Sequence, residues 1–130
     1  MREMARVLRP GGLLYLMAPQ SVRLHYPPHD YYRYTEYGLR YLVEQAGLEV
    51  EDLQPEGGYW LLMGYQLTRA TGYLFPRWRP LWLRVPFWPL EGLMKVFFSV
   101  VFPLLCHGLD RLDRKRAYTL GHTVRARKKA

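Results

Sequence analysis

Apolar side chains recur at Met1, Met4, Val7 and Leu8, with Arg2, Glu3, Arg6 and Arg9 between them. That spacing predicts a short helix with one greasy face. Pro10 ends it, and Gly11-Gly12 supplies a tight turn. "LLYLMAP", residues 13–19, is apolar without alternation, so it is expected to be a strand buried on both faces, as in a parallel sheet. The helical period returns at Leu39, Leu42, Val43 and Ala46, with Thr35 placed to cap the start and Gly47 to follow the end. "LEVEDL" alternates, which predicts a second strand over residues 48–53. Strand, helix, strand in this order predicts a βαβ unit with parallel strands and a right-handed crossover.

Beyond residue 57 the pattern changes. "GGYWLLMGYQLTRATGYLF" is apolar and helix-compatible past its glycines, and a region rich in Trp, Phe, Leu, Arg and Pro follows. "YTLGHTVRARKK" then reads as a final strand with Leu120, His122, Val124 and Ala126 on one face. The longest uncharged stretch, residues 96–109, lies between Lys95 and Asp110. It is shorter than the ~20 residues needed to cross a bilayer. Pro103 interrupts it, and Glu91 and Lys95 limit any extension, so no span is expected. The domain reading is residues 1–56, a helical apolar and basic insertion over 57–116, and a final strand with a basic tail over 117–130.

Charge sharpens this division. Residues 1–68 carry six Arg and eight acids, net −2, whereas residues 69–130 carry thirteen Lys or Arg and three acids, net +10. Arg77, Arg79 and Arg84 alternate with Trp78, Trp82, Phe87 and Trp88. Tryptophans favour the headgroup layer and arginines attract anionic lipid, so one reading lays the insertion on an anionic membrane surface. The other packs it against the chain's own sheet or a partner protein. Nucleic acid is disfavoured, because no recognised binding module is visible. One cysteine, Cys106, excludes an internal disulfide framework, and "MREMARVLRP" has no apolar segment of a signal peptide. The expected location is the cytoplasm, peripheral to a membrane.

The stretch "HYPPHDYYRY", residues 25–34, leaves the carboxyl end of the first strand. Ligands of doubly wound sheets bind beyond those ends. "EMARVLRPGGLLYLMAP", a loop containing "PHDYYRYT", and a helix ending "EQAGLEV" together resemble the C-terminal half of class I S-adenosylmethionine-dependent methyltransferases, specifically the methyltransferase type 11 group. The resemblance is close over residues 1–54 and looser over 118–129. It implies an α/β fold with the last three strands of a Rossmann-like methyltransferase sheet, the helical insertion preceding the final, antiparallel strand. It also implies S-adenosylmethionine as cofactor and a small or lipid-like molecule as methyl acceptor. The glycine-rich turn and ribose-binding acid that hold the cofactor in that family have no counterpart here. They are expected on an upstream polypeptide. With them missing, the first strand becomes an edge, which predicts pairing with another chain or homo-oligomerisation.

Within that resemblance the loop would serve the acceptor side. His29 is the candidate base and Asp30 its orienter, since a carboxylate fixes an imidazole tautomer. Tyr31, Tyr32 and Tyr34 could wall an acceptor pocket, with Arg33 binding an anionic group and His25 adding a second imidazole. The plainer alternative packs the aromatics on the sheet edge, with Asp30 and Arg33 satisfying each other or the backbone. His25, His29 and Asp30 lack a fourth ligand, so no metal is expected. Cys106, in an apolar run, is expected to be a buried thiol.

Overall fold

A computed structural model describes residues 1–74 and 88–129. Arg77, Trp78, Arg79, Trp82, Arg84 and Phe87 lie outside the described residues. The chain divides into two compact units, Met1–Gly57 with Arg116–Ala130, and Gly58–Lys115.

The first unit contains α1 (Arg2–Val7), β1 (Leu13–Pro19), α2 (Glu36–Gln45), β2 (Leu48–Pro55) and β3 (Gly121–Lys128). The fold is mixed α/β with a three-stranded antiparallel sheet in the order β1-β3-β2. This corrects the expected Rossmann-like sheet: the pairing is antiparallel throughout and the strand order is not Rossmann-like, although the expected common direction of the two earlier strands holds. β1 and β2 run in the same direction, but each pairs antiparallel with β3, which lies between them. A second correction concerns β1: it is covered on one face only. Leu14, Leu16 and Ala18 turn toward the core, whereas Leu13, Tyr15 and Met17 are exposed. The unalternating "LLYLMAP" thus hides an alternating environment, because its outward positions are apolar as well.

The core is built from Ala5, Ala18, Leu39, Val43, Leu48, Val124 and Ala126. Thr35 caps α2 through Gly38 N–H (3.2 Å), and Gly47 at φ 78° ends it, as its place in the sequence requires. A bulge between Val50 and Asp52 shifts the inward positions of β2 from Leu48 and Val50 to Leu53. Glu51 then forms ion pairs with Arg125 (3.1 Å) and Arg127 on β3.

The "RPGG" turn is fixed by the far end of the chain. Gly11, at φ 74°, donates to Lys128 O (2.9 Å), and Lys128 N–H donates to Gly12 O (2.9 Å). The Lys128 ammonium donates to Ala5 O and Leu8 O (2.8 Å each), satisfying carbonyls at the end of α1.

The second unit is a helical hairpin of α3 (Tyr59–Leu74) and α4 (Trp88–Leu112). α4 corrects the expectation that the apolar run is too short to span. It is one 25-residue helix, long and apolar enough to cross a membrane. Glu91 and Lys95 do not break it; they form an ion pair one turn apart. Pro103 does not end it either. The turn Phe97–Val101 widens to π geometry, with Phe102 N–H donating to Phe97 O. The next such bond would need a Pro103 N–H, which does not exist. The carbonyl left over is that of Phe98, and the Thr68 hydroxyl on α3 lies 3.1 Å from it. Cys106 is buried against α3, where a Cβ on Gly64 would stand 3.1 Å from the Cys106 Cβ.

Candidate functional site

The loop between β1 and α2 is tied to the sheet at both ends. Gln20 N–H (2.9 Å) and Ser21 N–H (3.1 Å) donate to Leu120 O, and Tyr34 N–H donates to Pro19 O (3.0 Å). β1 and the approach to β3 therefore aim the loop at the carboxyl end of β1.

Its centre is the Asp30–Arg33 pair. Arg33 donates to both carboxylate oxygens, at 2.6 Å from Nη2 to Oδ2 and through Nη1 to Oδ1. The Asp30 carboxylate also accepts the backbone N–H of His25 (2.7 Å). The guanidinium beside it, and then that amide, hold the Asp30 carboxyl well below the usual carboxylate range. The same pairing raises the pKa of Arg33. The remaining Arg33 bonds go to Tyr32 O (3.0 Å) and Arg23 O (3.1 Å).

These contacts revise the expected roles. His29 and Asp30 are not brought together as base and orienter, because the Asp30 oxygens serve Arg33 and His25. The His29 Nδ1 instead lies 2.9 Å from the Tyr31 hydroxyl. Arg33 is held within the loop and is not presented to an anionic ligand, as the plainer alternative anticipated. His25 contributes its backbone amide. The aromatic residues do assemble. His29 and Tyr31 meet edge to face at 5.9 Å, Tyr31 and Tyr32 at 6.3 Å, and Tyr32 stacks on Tyr34 at 6.0 Å. Tyr31 and Tyr32 stay exposed, whereas Tyr34 packs on the core.

Tyr32 and Tyr34 form one wall of a cavity of about 630 Å³, whose other walls include Leu16, Met17, Pro19 and Leu42. The volume falls in the range of small-molecule sites. An apolar lining with two phenols suits a planar or hydrocarbon-rich ligand.

In sequence His122 is one of the inward residues of the last strand. It is buried opposite Ala18, at the same end of β1, and its Nδ1 has no hydrogen-bond partner. Buried polar atoms ordinarily have one. The sequence signal is a lone imidazole among apolar inward neighbours. No group of three or more His, Cys, Asp or Glu among the described residues is placed to hold a metal ion.

Among the described residues, the paired glycines leave few free N–H groups for a cofactor such as S-adenosylmethionine. A cofactor cradle needs free backbone N–H groups on a glycine turn. Gly11 N–H is spent on Lys128 O, Gly12 N–H on Arg9 O, and Gly58 N–H on the Asp110 carboxylate. The chain was compared with models of protein families, with characterised proteins and with solved structures, and nothing matches in any of the three.

Proposed function

We propose that this chain supplies the acceptor-facing side of a class I S-adenosylmethionine-dependent methyltransferase, with a small or lipid-like acceptor. The observation that carries the reading is the position of the aromatic loop. It leaves the carboxyl end of β1 and walls an apolar cavity there. The order of elements supports it: helix, "LRPGG" turn, strand, aromatic loop, helix, second strand, and a last strand antiparallel to both. That is the succession the resemblance calls for.

The donor-binding residues would come from an upstream-encoded polypeptide seated along β1. β1 is a sheet edge whose outward Leu13, Tyr15 and Met17 are exposed, a surface suited to a neighbouring chain. In such a site the cavity orients the acceptor, and alignment alone can lower a transfer barrier by roughly 7–11 kcal/mol. His29, held by the Tyr31 hydroxyl, is the candidate proton acceptor, while Asp30 and Arg33 fix the loop. The test is titration with S-adenosylmethionine, first of this chain alone and then with the upstream-encoded polypeptide. Binding only in the second case is expected, and binding in neither removes the reading. A second reading, a non-catalytic membrane-surface or protein-interaction module, draws on the exposed apolar residues of α4.

A further inference from the structure

The hairpin of α3 and α4 has two unlike sides. On α4, the positions turned toward α3 include Phe98, Cys106 and Asp110, the last two buried. The opposite side presents Leu93, Val96, Val100, Leu104 and Leu105, each more than half exposed. No charge interrupts that side. Glu91 is buried, and it pairs with Lys95. Only 6% of the helix's most apolar window is buried. An apolar helix face is stable only when something covers it. A contiguous surface of this kind marks an interaction site.

α3 answers which partner. Gly64 and Thr68 face α4, and Thr68 and Thr71 spend their hydroxyls on backbone carbonyls. On its other side α3 exposes Gln66, Arg69 and Tyr73. Arg69 sits over the Tyr65 ring at 4.5 Å. Thus the outer side of α3 is polar, whereas the outer side of α4 is mainly hydrocarbon, with Ser99 and His107 as exposed polar residues beside it. The ends of α4 are polar too: Trp88 is exposed at the start, and Arg111, Arg114 and Lys115 are exposed at the finish.

We infer that the hairpin lies in the surface of an anionic bilayer, with α4 sunk to the level of the acyl chains and α3 above it, facing water. Trp88 then sits at headgroup depth, and the basic cluster meets anionic phosphates. A bilayer-crossing hairpin would instead place Arg69 and Gln66 in hydrocarbon, at a position where polar groups are strongly disfavoured. A second protein copy is less suited, since both acids of α4, Glu91 and Asp110, are buried and leave the basic cluster no acidic counterpart on an identical face. This inference stands apart from the proposed methyl transfer and holds or fails without it.

The test uses the full chain and vesicles of phosphatidylcholine with phosphatidylglycerol in a roughly three-to-one ratio. Flotation is compared for the parent protein, for Leu93→Glu with Val100→Glu and Leu104→Glu, and for Gln66→Glu. Circular dichroism checks that each is folded. The triple variant is expected to lose vesicle binding by roughly tenfold or more, and Gln66→Glu to keep it. Position is read with single cysteines at Gln66 and at Leu104 in a Cys106→Ala background. In vesicle-bound protein an impermeant maleimide should label the cysteine at 66 and not the one at 104. Absence of flotation at low salt overturns the inference, as does equal flotation of the triple variant. Protection of both cysteines overturns it in favour of a crossing hairpin. Dimerisation lost in the triple variant, without flotation of the parent, overturns it in favour of a second copy.

Discussion

Replacing Asp110 by Ala should unlock the hairpin from its base. The first N–H groups of a helix have no partner within it. In α3, Gly58 N–H donates to both Asp110 oxygens (3.0 Å each), Leu61 N–H donates to Asp110 Oδ1 (2.9 Å), and Tyr59 N–H donates to Asp113 Oδ2 (2.8 Å). Asp110 is buried, and so is Gly58. A hydrogen bond to a charged group contributes about 1.5–3 kcal/mol, and losing an N-cap acceptor costs about 1 kcal/mol. The Asp110 bonds share one carboxylate and do not add fully. The expected loss for Asp110→Ala is therefore ~3 kcal/mol. Asp110→Asn keeps one carbonyl acceptor and should lose ~1 kcal/mol, as should Asp113→Ala. Urea unfolding followed by far-ultraviolet circular dichroism gives the totals. Hydrogen exchange at Gly58, Tyr59 and Leu61 gives the local effect, and those amides should lose protection first. If Asp110→Ala unfolds within about 0.5 kcal/mol of the parent, or if Asn is as damaging as Ala, the capping argument is refuted.

Three further outcomes follow from the sheet unit. The Asp30 carboxyl titrates lower folded than unfolded, so its contribution is complete above the ordinary carboxylate pKa of about 4 and is lost as pH falls below that. Limited proteolysis of the 20–35 loop should show this acid sensitivity in the parent and not in Asp30→Asn; matching profiles below pH ~4 would sink it. His122→Leu removes a buried nitrogen that lacks a partner and should raise stability by about 1 kcal/mol, while reducing any transfer activity that uses it; a lower melting temperature contradicts this. A Cβ on Gly121 would stand 2.5 Å from Ala18 O, so Gly121→Ala should force β1 and β3 apart and lose at least ~2 kcal/mol, seen as faster exchange along β1.

Local signals in the sequence carried the elements they could carry. Thr35 and Gly47 marked the ends of α2, and Pro10-Gly11-Gly12 marked the turn, because caps and turns are decided by a few adjacent residues. The burial of β1 was not legible. Tyr15 and Met17 are apolar whether or not anything covers them, so periodicity could not show an open face. The continuity of α4 was hidden for a different reason. An ion pair between Glu91 and Lys95 and a threonine on another helix accommodate groups that look like breaks in one dimension. The loop's composition was a sound guide to a tyrosine cluster at the end of β1. It left the pairing open, and Asp30 takes the guanidinium three residues on over its neighbour His29. His122 gave only a lone polar letter in an apolar frame, with no way to tell that its Nδ1 would lack a partner.

The central strand of the sheet follows both of its neighbours in sequence. Leu13 pairs with Arg127 and Leu48 with Lys128, so neither pairing can form before the hairpin between them has been made. Contacts so distant in sequence form slowly, because the intervening segment must first be closed into a loop. Here that segment is the hairpin. During synthesis α3 and α4 emerge ahead of β3, so the greasy helix meets its surroundings while β1 and β2 still wait for the strand that joins them.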